Sequence, residues 1–184
     1  MSERARPRVQ LPIEQLPPRL ERLFALMRVD FPLQRHQPNS RRLLVASVVS
    51  VVGSLVADAL IVAVGTVIFP STRGYPHFRF ADYATLTVIG VLIASVGWPI
   101  VTAVSSAARW LFFRLAILVT LVLFLPDAYL LVVGSPLDAV LVLMTMHVAI
   151  ALVTYNALVR LSPPERPNAL QRLAGLGRRQ LVRR

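Results

Sequence analysis

The chain has 184 residues and no cysteine, so it has room for one domain and no means of forming disulfides, thiolate metal centres or cysteine nucleophiles. It is 55% apolar with a mean hydropathy of +0.63, which excludes an ordinary soluble domain. Its formal charge of +11 rests on 20 basic residues, all arginine; this usage points to a GC-rich bacterial genome and carries no mechanism.

In chain order, residues 1–42 come first: a basic, proline-rich segment that reads as a cytoplasmic tail. Within it, "PPRLERLFALMRV" (17–29) puts Leu20, Leu23, Phe24 and Met27 on one helical face, with Glu21, Arg22 and Arg28 on the others. That pattern predicts a short helix lying in the membrane interface. No signal peptide is expected, because the following apolar run far exceeds the ~7–15 residues of a signal core.

Four apolar runs then approach or exceed the ~20 residues needed to cross a ~30 Å hydrocarbon layer. They are Leu43–Phe69, Ala84–Val104, Trp110–Val133 and Leu137–Leu161. The predicted fold is therefore an all-α, four-transmembrane-helix bundle over residues 43–161. Between the first two runs, "PSTRGYPHFRFADY" (70–83) reads as a loop broken by Pro70, Gly74 and Pro76, with Asp82 capping span two. "SSAARW" (105–110) is a tight turn. In "GSPLD" (134–138), Ser135 is expected as the N-cap of span four, Pro136 as its first residue and Asp138 as the third-position acid of a capping box. Trp98, Trp110, Tyr83 and Phe80 are candidate interfacial anchors.

The arginines set the expected orientation. Nine precede residue 43, two (Arg73, Arg79) lie in the first loop, two (Arg109, Arg114) follow the second span, none lies between spans three and four, and seven lie from Arg160 onward. With both termini inside, 18 arginines are cytoplasmic and 2 external, so an N-in, C-in multi-pass protein of the bacterial inner membrane is expected. The tail 162–184 places Leu170, Leu173 and Leu176 at helical spacing beside Arg172, Arg178, Arg179, Arg183 and Arg184. Contact with anionic lipid headgroups is expected there, at ~1 kcal/mol per charge near the surface. Nucleic-acid binding is not expected, because no aromatic interleaving or recognition motif accompanies the charge.

Polar residues inside the spans carry the functional question. In span one, Ser47, Ser50, Ser54, Asp58 and Gly65 share a narrow arc, a small polar seam that should face protein and not lipid. A central acid costs ~2.5–3.5 kcal/mol on insertion scales, so Asp58 needs a partner or a proton. Asp58 lies eleven residues before Phe69 and His147 eleven after Pro136. At 1.5 Å per residue, both are ~16 Å from the outer end, so the two are expected to meet. His147 shares a face with Met144, Ala151 and Thr154. Extending span three through Pro126 to Val133 would bury Asp127 as well, and Pro126 would free the Val122 carbonyl at that depth. Asp58, His147 and Asp127 thus form the candidate buried polar or proton site, and Ser47, Ser50, Ser54, Gly65 and Thr154 the packing seam. Haem would need a second buried imidazole and zinc more ligands at one depth, so no cofactor or metal is expected. No nucleophile-elbow triad or phosphate loop is present.

A short basic turn before span three, Leu125-Pro126 closing a leucine-rich stretch, and Met146-His147 early in span four resemble a group of small four-span actinobacterial membrane proteins classed as a domain of unknown function. The resemblance covers roughly residues 43–161. It implies the four-span architecture and a loop just after the proline, and it implies no activity.

Two functions follow as expectations. One is a non-enzymatic structural or accessory component of a membrane assembly, with a membrane-protein partner or further copies of itself. The other is a small proton-coupled carrier or channel built on Asp58 and His147; against it, no inverted repeat or pair of broken helices is evident.

Overall fold

The computed structural model describes residues 37–165. The interfacial helix expected over 17–29 and the arginines expected to meet lipid, Arg172 to Arg184, lie outside the described residues. Among the described residues there are four long helices and no strand: α1 Ser40–Ile68, α2 Phe80–Val104, α3 Ala108–Val132 and α4 Leu137–Leu161. Each is long and apolar enough to cross a membrane.

α1 begins three residues earlier than its apolar run, because Asn39 caps it: the Asn39 side chain accepts the Arg41 amide at 3.0 Å. α3 runs unbroken through Pro126, so the loop that the family resemblance implies after that proline begins only at Val133. Two end signals resolve differently from expectation. α2 has no side-chain cap, and Asp82 lies within its first turn. α4 starts one residue later than expected, with Pro136 at the cap position. Ser135 instead accepts a hydrogen bond from the Tyr75 hydroxyl at 3.0 Å, and Asp138 accepts one from Ser71 at 3.3 Å. These bonds dock the first loop, with its two short 3-10 turns Pro70–Thr72 and Pro76–Phe78, onto the α3–α4 turn. At the opposite end Pro38 and Pro164 form an isolated antiparallel bridge, and Asn39 donates to Glu165 at 3.2 Å. The chain therefore enters and leaves the bundle at one end, here called the tail end.

α1 packs most extensively on α4, α4 next on α3, and α1 on α2. Glycine permits the closest approach. A Cβ on Gly65 would lie 2.7 Å from a Val142 methyl, and one on Gly53 3.0 Å from Val153. The core has two apolar layers. The tail-end layer gathers Trp98, Val101, Leu111, Phe112 and Leu158 around Ala46. The loop-end layer gathers Tyr83, Val142 and Met146. Trp98 and Tyr83 are thus not interfacial anchors. Trp98 is fully buried and donates its Nε1 proton to the Ser162 carbonyl at 2.7 Å, while Tyr83 is buried in the loop-end layer. Indole and phenol carry a polar tip on a large apolar body, so both fit a core where an acceptor or a partial opening is within reach. Phe80 is exposed, and Trp110 lies under the Arg114 guanidinium, 3.8 Å from the ring centre.

Candidate functional site

Between the apolar layers lies a polar one. The seam on α1 faces inward: Ser50, Ser54 and Asp58 have no exposed surface, Gly65 is buried, and Ser47 is half-buried. Asp127 and Thr154 are buried too. Asp58 is held by α2, where the Thr87 hydroxyl donates to Asp58 Oδ2 at 2.7 Å. His147 is held by α3, with its Nδ1 3.0 Å from Asp127 Oδ2. That contact has the length of a hydrogen bond without its alignment, and the same nitrogen also lies 3.1 Å from the Leu143 carbonyl. Phe124 packs edge-on to the imidazole, with ring centres 6.4 Å apart.

Asp58 and His147 are expected to meet directly or through one water; no direct hydrogen bond joins them, and each lies within electrostatic reach of the other. The register agrees with the expected common depth: with Gly53 against Val153 and Gly65 against Val142, Asp58 is level with Val148. Azimuth separates the pair. Val142 and Val153 mark the line of α4 that meets α1, and at ~100° per residue His147 points about 120–140° away from it, toward α3. Side chains also lean toward their own helix N-terminus, so in these antiparallel helices Asp58 and His147 lean apart.

Thr87 is the partner that sequence reasoning missed. Its signal was legible: Tyr83, Thr87, Val91, Ser95 and Trp98 recur at helical spacing and form the buried stripe of α2. A threonine on that stripe, mid-span, is a natural donor to an acid on the neighbouring helix. The pair links α1 to α2 as the His147–Asp127 contact links α4 to α3. A double-mutant cycle of Asp58→Asn and Thr87→Val, read as unfolding free energy in detergent, should give a coupling of about 0.6–1.7 kcal/mol. The same cycle between Asp58 and His147 should give a smaller coupling; the reverse ranking would contradict the pairing described here.

No group of three or more His, Cys, Asp or Glu side chains is placed to hold a metal ion among the described residues. What the arrangement offers chemically is hydrogen bonding, charge and proton exchange at mid-bundle depth. Fold and site together define a small four-helix bundle whose spans suit a membrane and whose centre is polar. Comparison of the chain with protein-family models, with curated proteins and with solved structures found no match.

Proposed function

We propose that this chain is a non-enzymatic accessory or structural component of a membrane assembly, resident in the bacterial inner membrane with both termini cytoplasmic, and akin to small four-span actinobacterial membrane proteins. The observation that carries the reading is that the ionisable groups within the spans are engaged between helices: Asp58 with Thr87, and His147 with Asp127. Such polar contacts set the rotation and register of neighbouring helices. The same helices leave broad apolar faces outward, and α3 has no buried residue between Phe112 and Asp127. Affinity purification of the full chain from its native membrane in mild detergent is expected to bring down a membrane-protein partner at fixed stoichiometry. Recovery of the chain alone would count against an accessory role.

The 18-to-2 arginine split supports the orientation. Reporters fused before Leu43 and after Arg184 are expected to be active only in the cytoplasm, and cysteines introduced in the loop 70–79 to label from outside. External labelling of either tail would reverse the topology. The arginine-rich tail 162–184 would meet anionic headgroups on the cytoplasmic leaflet.

A second reading, a small proton-coupled carrier or channel, is favoured by one observation: Asp58 Oδ1 is buried with no hydrogen-bond partner. Intramembrane acids in that state mark ion and proton pathways. Proton flux into vesicles holding the purified chain, abolished by Asp58→Asn, would select it over the first.

A further inference from the structure

The rotation that turns His147 toward α3 commits one of its two ring nitrogens. Nδ1 lies 3.1 Å from the Leu143 carbonyl and 3.0 Å from Asp127 Oδ2. A carboxyl group could turn a proton of its own toward a bare nitrogen, but a carbonyl oxygen only accepts. Nδ1 therefore carries a proton whether the ring is neutral or charged, and Nε2 is the nitrogen left to gain or lose one. The groups that face the ring come from every helix. Asp127 of α3 touches it, and Asp58 of α1 stands within electrostatic reach without touching it. Tyr83 of α2 acts on Asp58, and α4 itself brings the Leu143 carbonyl.

α3 gives a proton on this ring a mechanical consequence. Both ends of the helix are fixed. At the tail end Phe112 packs on Trp98 and Tyr155, with ring centres 5.1 and 6.1 Å apart, and at the other the short turn 133–136 ties α3 to α4. Between Phe112 and that turn, Asp127 is the one buried residue among those described. Pro126 stands just before it and has no amide for the Val122 carbonyl, which weakens the helix within a turn of the acid. The loop-end half of α3 is thus an apolar helix whose buried side chain is a carboxylate set against a histidine. A neutral imidazole offers Asp127 only the flank of an N–H that also faces Leu143. An imidazolium offers it a full charge at the same 3.0 Å.

We propose that His147 is a proton-operated latch: Nε2 takes up the proton, Nδ1 keeps its own, and the imidazolium so formed pins the loop-end half of α3 to α4 through Asp127. With its ends tied, the unlatched segment bows or rotates and does not detach. The latch serves an accessory subunit and a carrier alike.

The test uses the full chain in detergent, 15N-labelled and followed by NMR across pH, with the His36 and His77 signals identified by replacing each with Gln. Neutral His147 is expected to show a protonated Nδ1 and a bare Nε2, and acid should change Nε2 far more than Nδ1. Amide exchange is read on the same samples as protection relative to the unfolded chain at each pH. Protection over residues 118–130 is expected to fall about three- to twentyfold as His147 loses its Nε2 proton, the range that interhelical polar contacts in membranes allow, while 108–116 holds steady. Asp127→Asn and His147→Gln should each abolish this response. A neutral ring with its proton on Nε2 would overturn the proposal. So would a ring that never titrates while the chain is folded, protection of 118–130 that ignores the state of His147, or a response that survives Asp127→Asn. Should a variant fail to fold, the titration of the unaltered chain decides.

Discussion

Trp98→Ala is expected to cause the largest single loss of stability in the bundle, about 3–5 kcal/mol. The indole is fully buried at the tail end and packs against Phe112, with ring centres 5.1 Å apart. It lies within the layer built by Ala46 of α1, Val101 of its own helix, Leu111 of α3 and Leu158 of α4, so all four helices lose contacts at once. Its Nε1 proton also satisfies the Ser162 carbonyl just beyond α4, at 2.7 Å. Truncation leaves a void and an unpaired buried carbonyl together. Because membrane helices associate through packing and not through water exclusion, a void weighs as heavily here as in a soluble core. Trp98→Phe separates the contributions: it keeps most of the ring, loses the hydrogen bond, and should cost about 1–3 kcal/mol. Unfolding free energies in detergent check both. A loss below 1 kcal/mol for Trp98→Ala would show that the tail-end layer is not held together as described.

Gly65→Val is expected to follow, at about 1–3 kcal/mol or somewhat more. An added Cβ would lie 2.7 Å and 3.2 Å from the two methyls of Val142. Valine has one strongly preferred rotamer in a helix, so Val142 cannot swing aside, and α1 and α4 must separate instead. Trimming the obstacle should restore much of the loss: Gly65→Val combined with Val142→Ala should be less damaging than the two separate effects added. Gly90 is the control. It is exposed, nothing lies within 4 Å of a Cβ there, and Gly90→Ala should be neutral or slightly stabilising. Equal effects at Gly65 and Gly90 would mean that the loss at Gly65 arises from the helix backbone and not from the α1–α4 contact.

The sequence by itself determined the four helices and the inward side of α1, while helix starts moved: α1 begins at Ser40 and not Leu43, and α2 at Phe80 and not Ala84. Hydrophobic run length reports a span because an apolar solvent of fixed thickness imposes it, and the serine seam reports a protein-facing side because lipid offers serine no partner. Burial of Asp127 was legible for the same reason, once the span was carried through Pro126 to reach a reasonable length. Depth could also be counted, since each helix rises a constant amount per residue. The partners could not. Which acid meets Thr87 and which meets His147 depends on the order of helices around the bundle and on the rotation of each about its own axis. Neither quantity is encoded in a run length, and mean hydropathy is blind to it. Trp98 illustrates the same limit: its position some way inside span two hinted at burial, but only the close approach of Ser162, after α4, supplies the acceptor that makes burial of an indole N–H tolerable. The orphaned hydroxyls of Ser54 and Thr154 were also beyond the sequence, because a buried serine that bonds its own helix, as Ser50 does, and one that does not are spelled alike.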